Sequence, residues 1–271
     1  MPNEIKCFPI AKTVVDKSKV IKWLQELGVE DPDIIVDTLP SGSSGVIGLA
    51  GKRCYKSFEV SLNPNLTKVR KDWAAYFDHI FESGHGSIME HASWTWAIEN
   101  LTRVCTAEMN RHRAGVAISE GSMRYIRFDK EVPYWEPLSI RFDPYDEYEV
   151  AIKKRETRQI FKDAFNYSHA LYMQLQEIWK DELSPESKFA QKKQITSMMR
   201  RIIPMGACTG AIYTFNFRAL RHILTMRCEP AAEEEIVHAC SQIAKVMVEE
   251  ELGFKDFNMD NGYWAPKFRK I

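Results

Sequence analysis

The chain has 271 residues, 45% hydrophobic and 27% charged, enough for one large domain or two small ones with a sizeable core. Lys+Arg and Asp+Glu each number 37, so the formal net charge is zero, which argues against a general nucleic-acid binder with its basic excess. No apolar run approaches the roughly 18 residues that cross a membrane; no signal-peptide pattern is read at the start, and the six cysteines form no Cys-x-x-Cys pair, so a cytoplasmic protein with reduced thiols is expected.

In chain order, the apolar spacing over 20–27 predicts a helix stopped by Gly28, and 40–45 is a loop by composition. Residues 68–83 predict an amphipathic helix, with Trp73, Tyr76, Phe77, Ile80 and Phe81 on one stripe and Gly84 as its stop. Residues 93–99 alternate and predict a half-buried strand. Residues 101–110 return to helical spacing and deliver Arg111-His112-Arg113 at or near the helix end. Residues 122–128 alternate again and predict a strand. Helical stretches follow over about 147–183 and 187–203, the second interrupted by Pro204. A glycine-interrupted segment covers 209–217, and helical patterns resume over 218–226 and 231–252. The tail after Gly253 has no clear periodicity. The pattern is α+β (α/β), with more helix than strand and no internal repeat or clear domain boundary.

The densest chemistry lies in Arg111-His112-Arg113 and Ser119-Glu120-Gly121-Ser122-Met123-Arg124-Tyr125. Guanidinium is a permanent planar cation that suits phosphate and carboxylate. The plainer reading of the first tripeptide is a solvated helix C-terminus. On a strand, Ser122 and Arg124 would share one face and seat a phosphate. A second polar group is Arg200, Asn216, Arg218, His222 and Arg227, with Arg218 and His222 four apart on one helical face. His85, Glu90 and His91 lack the spacing of a metal helix, so no metal is expected; a ligand contact for His85 and Ser87 stays open. Cys105 and Cys228 read as buried small hydrophobes. Ser122 has no nucleophile-elbow motif, so it reads as a binding residue.

Taken together, these segments resemble the flavin-dependent thymidylate synthases. The resemblance rests on Arg111-His112-Arg113 with Ser122 and Arg124-Tyr125 downstream. Gly84-His85-Gly86-Ser87 with Glu90-His91-Ala92-Ser93, Arg200-Arg201-Ile202-Ile203-Pro204, Asn216 to His222 and Met226-Arg227 extend it over about 46–252. It implies one α/β domain, a central mostly antiparallel sheet flanked by helices, with 1–45 as an N-terminal extension and 253–271 as a tail. It also implies a homotetramer with FAD at subunit junctions, and small nucleotide, folate and nicotinamide ligands rather than nucleic acid or membrane. The implied reaction is C5-methylation of dUMP from methylenetetrahydrofolate with NADPH as reductant, or in a divergent member methylation or hydroxymethylation of UMP or another modified uridylate; a nucleic-acid-binding or catalytically retired relative is the remaining alternative. Flavin contacts would fall on His85, Ser87, Arg111, His112, Arg113, Glu120, Asn216, Phe217, Arg218 and His222. Nucleotide contacts would fall on Glu108, Met109, Asn110, Arg111, Glu120, Gly121, Ser122, Met123, Arg124, Arg200 and Arg227, with Arg227 as the activating, catalytic residue. Two departures stand out. Eight residues separate Arg113 from Ser122, one more than the family's signature, in what the resemblance makes the nucleotide loop; and Ala231 stands where the family usually has histidine.

Overall fold

The computed structural model describes residues 3–270. Four strands, β1 (Lys6–Lys12), β2 (Ser93–Thr102), β3 (Val116–Glu120) and β4 (Cys208–Asn216), form a sheet in the order β1-β2-β4-β3. A hairpin of β5 (Phe257–Asp260) and β6 (Tyr263–Pro266) makes a second, two-stranded sheet. The helices are α1 (Lys17–Glu26), α2 (Pro32–Asp37), α3 (Ser44–Tyr55), α4 (Trp73–Glu82), α5 (Arg103–Met109), α6 (Tyr148–Ile178), α7 (Phe189–Met199), α8 (Phe217–Arg227) and α9 (Glu234–Glu250). The mixture of helix and antiparallel sheet agrees with the expected fold class.

The strand expected over 93–99 is β2, extended to Thr102. Trp94, Trp96 and Ile98 on one of its faces are fully buried, as period-2 alternation requires. Phe217 N–H donates to Ala92 O and Arg103 N–H to Ala207 O, which sets β2 antiparallel to β4. On the other side of β4, Asn216 N–H donates to Gly115 O and Gly121 N–H to Gly210 O, both at 2.9 Å. Six residues separate the two bonds on each strand, so β3 and β4 pair without a bulge. The apolar run before Ser119, to which the sequence assigned no element, is therefore an edge strand.

The strand expected over 122–128 is absent, and that expectation is corrected. The N–H groups of Tyr125 and Ile126 both donate to Ser122 O, at 2.9 and 3.0 Å, and close a turn. Phe128 is buried but Tyr125 is 51% exposed, so the alternation marks one anchor rather than a sheet face.

Helix starts follow their caps. Asp72 accepts from Ala74 N–H at 2.9 Å, so α4 begins at Trp73 rather than Lys68. All five residues of its predicted stripe are buried, each contributing about 2 kcal/mol. Thr102 caps α5 and Asn216 caps α8. The tail expected to lack pattern holds the β5–β6 hairpin, turned by Asn261 and Gly262 with φ 47° and 85°.

The chain divides into two compact units. One takes the chain up to Cys7, Ala97–Arg111 and Ile118–Ile212. Phe165 and Tyr172 of α6 pack there with Ile195 and Met199 of α7. The other takes Phe8–Trp96, His112–Ala117 and the chain from Tyr213, and contains a cluster of Leu24, Val36, Leu49 and Phe58. No helix among the described residues is long and apolar enough to cross a membrane.

A buried carboxylate ties the second unit together. Glu251, with no exposed surface, accepts from Ser43 N–H (2.8 Å), Ser44 N–H (2.9 Å), Ser44 Oγ (2.6 Å) and Trp94 Nε1 (3.0 Å). It caps the start of α3 from more than 200 residues away. We expect Glu251→Ala, which strands these buried donors, to cost about 3 kcal/mol or more in chemical denaturation. A loss below about 1 kcal/mol would show that water replaces the carboxylate.

Candidate active site

The first unit holds a cleft of about 520 Å³. Asn110, Glu120, Gly121, Ser122, Met123 and Arg200 line it, six of the expected nucleotide residues, together with Arg103 and Arg201. The elements explain the convergence. Helix α5 ends at Met109 and brings Asn110 to the wall; β3 ends at Glu120; the turn after α7, Arg200–Ile202, brings its arginines. Glu120 is clamped on both oxygens: Arg103 Nη1 donates to Oε1, and Asn110 Nδ2 to Oε2 at 3.0 Å. Arg103 Nη2 also donates to Gly121 O. A side chain at Gly121 would meet Thr209 Oγ1 at 2.7 Å, so the backbone there must stay bare. Ser122 Oγ accepts from Arg124 N–H at 3.3 Å inside the turn, which replaces the shared strand face expected for Ser122 and Arg124. Arg200 makes no ion pair among the described residues and is a cation available to an anion. Glu108, Met109, Arg111, Arg124 and Arg227 are not on the cleft wall, and Arg227 belongs to the second unit. Met109 is 2% exposed, so only its backbone can meet a ligand.

The second unit holds a groove of about 420 Å³ lined by Glu90, Ala114, Gly115, Asn216, Arg218 and His222. Asn216 Oδ1 accepts from Ala219 N–H at 2.8 Å and starts α8. Its Nδ2 lies 2.5 Å from where a Gly115 Cβ would stand, and Gly115 has φ +71°. Only glycine satisfies both demands. Arg218 and His222, one turn apart on α8, face the groove, and Arg218 pairs with Glu90 at 2.5 Å. Both partners are about half exposed, so the pair orients Arg218 more than it stabilises the fold. Arg227 Nε donates to His112 Nε2 at 3.0 Å. That nitrogen is an acceptor and carries no proton. The His112 ring meets the His222 ring edge-on, centroids 6.2 Å apart. His85 begins the turn Gly86–His91, and its ring stacks on Tyr55 at 5.9 Å. Ser87 and Arg113 are exposed, whereas Phe217 has no exposed surface and offers only its backbone.

Sequence reasoning missed Arg103 and Tyr55. Arg103 follows the Thr102 cap by one residue, and no spacing rule marks it. Two thiols behave as expected: Cys105 and Cys228 are buried. A hydrogen bond with Cys240 lowers the Cys228 thiol against the opposing effect of burial. Beside the turn, a hydrogen bond with Lys193 lowers the exposed Tyr125 phenol.

The groove's donor set, the Arg218 guanidinium, the His222 imidazole and the Asn216 amide, suits an anionic, ring-bearing ligand such as a flavin. Comparison with known proteins gives the family. Residues 35–251 match the family described as "Thymidylate synthase complementing protein". The flavin-dependent thymidylate synthase of Mycolicibacterium vanbaalenii is 30% identical over 220 residues, covering 80% of each chain. That of Corynebacterium efficiens is 30% identical over 226 residues, covering 83% of each. The fold is similar to that of the UMP/dUMP methylase PolB from Streptomyces cacaoi. The TM-score is 0.59 with 5-Br dUMP bound (15% identity, 93% of this chain and 94% of that one). With 5-Br UMP bound it is 0.62 (13% identity, 93% and 92%).

The Glu120 clamp makes a direct prediction. Arg103→Met leaves the half-buried carboxylate with one partner and should cost about 1–3 kcal/mol. Arg103→Lys should restore only part of this in thermal melts, because an ammonium cannot fork between Glu120 and Gly121 O. Full recovery with lysine would mean that charge alone matters.

Proposed function

Because the chain belongs to the flavin-dependent thymidylate synthase family, we propose that it methylates C5 of dUMP to give dTMP, taking the one-carbon unit from methylenetetrahydrofolate and reducing power from NADPH. The observation that carries this reading is the hydrogen bond from Arg227 to His112, 3.0 Å long and joining segments 115 residues apart. It couples the arginine assigned to the pyrimidine with a histidine assigned to the flavin. FAD, when bound, supplies the redox chemistry.

The chain's own residues supply position and charge. Arg218 and His222 would hold the flavin in the groove, with Glu90 setting the angle of Arg218. In the cleft, Arg200 and the Ser122 hydroxyl would take the nucleotide phosphate. Glu120, already fixed by Arg103 and Asn110, would accept from the sugar or base. Arg227 would stabilise negative charge developing on the pyrimidine. A guanidinium whose Nε is already tied to His112 needs little reorganisation to do so. Assembly as a homotetramer, with the flavin at subunit junctions, belongs to the same proposal.

A second reading, methylation of UMP as well as dUMP, is favoured by Ala231. This small exposed side chain stands where the family usually has histidine, and a roomy site rejects an added hydroxyl weakly. The test is to supply folate donor and NADPH with dUMP and UMP in parallel and to identify products by mass. Arg227→Ala should remain folded and yellow but lose about a hundredfold or more in turnover. Near-normal turnover in that variant overturns its role; wild-type protein that makes no product from either nucleotide overturns the reaction.

A further inference from the structure

The first unit has a second cleft, of about 600 Å³, that no role above uses. Its floor is α6. Arg155, Arg158, Lys162 and His169 are spaced by three, four and seven residues, which places them on one helical face. The opposite wall is the segment from Lys130 to Glu136.

The charges there are unevenly paired. Four fixed cations (Lys130, Arg155, Arg158 and Lys162) meet two carboxylates, Glu131 and Glu136. Glu136 is 5% exposed and already engaged. Its Oε2 accepts from Arg158 Nε at 2.9 Å, and its backbone carbonyl accepts from Arg141 Nε at 3.0 Å. Lys130, Arg155 and Lys162 make no ion pair or hydrogen bond with a side chain among the described residues. In a chain of zero net charge, three unpaired cations around one concavity are a local surplus.

The cleft is also furnished for more than a bare ion. Tyr134 lies flat on Phe165, centroids 4.5 Å apart and planes 10° from parallel. Burial raises the Tyr134 phenol, so it stays a donor at neutral pH. His169 Nε2 sits 3.1 Å from Phe128 O; a carbonyl only accepts, so Nε2 carries the proton and Nδ1 is the remaining ring nitrogen.

We propose that this cleft binds a small linear polyanion, a polyphosphate chain or a γ-linked oligocarboxylate, laid along the cationic row of α6. Cations one helical turn apart match charges repeated along a chain better than a single phosphate would. This site is separate from the nucleotide cleft and does not depend on the proposed reaction.

The test is calorimetric titration of the flavin-loaded protein with inorganic tripolyphosphate and, separately, with tri-γ-glutamate, at low and high salt. Wild type should bind at least one probe, more weakly as salt rises. The double variant Arg155→Gln/Lys162→Gln should bind it at least about tenfold more weakly. Lys153→Gln, on the exposed side of the same helix outside the cleft, should bind like wild type. Which probe binds identifies the source of the anion. No binding of either probe to wild type at millimolar concentration, or equal weakening in the Lys153 control, overturns the proposal. Neither outcome bears on methylation, because the readout requires no turnover.

Discussion

The close approach of Asn216 to Gly115 is the constraint on which the second unit's chemistry depends. One residue does three things there. Its backbone N–H pairs with Gly115 O and joins β3 to β4. Its Oδ1 caps α8, and its Nδ2 fills the space a Gly115 side chain would need. The start of α8 is thus fixed by the sheet, and with it the phase of the helix. Arg218 and His222 follow on one face, and Arg227 falls in the last turn, beside His112. A packing fault at Gly115 would move three candidate site residues at once, although it touches none of them.

Both candidate sites pair arginine with glutamate, with different physical effects. Arg103 and Glu120 are largely buried, and the carboxylate is held on both oxygens, so its acceptors are aimed before any ligand arrives. Arg218 and Glu90 are half exposed and screened by water, a weaker hold that leaves the guanidinium freer to reorient. Arg200 has no carboxylate partner among the described residues. Zero net charge therefore conceals an uneven local distribution, in which some arginines are ion-paired and others are not.

The sequence made much of this legible, for identifiable reasons. The α4 stripe and the alternation of β2 are dense apolar patterns with one buried face each, and the strand-to-helix junction at Asn216 carries a strong cap. The turn at 122–128 was misread because spaced apolar residues alternate whether or not a partner strand exists. Tyr125 and Ile126 are exposed, and only the bonds to Ser122 O decide the matter. β1 has almost no buried face, so no periodicity marks it. The β5–β6 hairpin was available in the Asn261-Gly262 pair, a strong turn signal that the aromatic tail obscured. Arg103 was beyond reach, since its importance lies in a contact with Glu120 that only the folded chain creates.

The bulge-free pairing of β3 with β4 also bears on where this chain departs from its relatives. A strand cannot absorb one additional residue without a bulge or a reversal of every side chain beyond it. The ladder between Gly115 and Gly121 contains no bulge, so of the eight residues between Arg113 and Ser122 only Ala114 precedes the paired run, in the turn that Val116 N–H closes on Arg113 O. That turn borders the groove of the second unit and lies at the far end of β3 from Ser122. A change of length confined to that turn would alter the reach of Arg113 and the rim of the groove without shifting Glu120 or Ser122 along the strand.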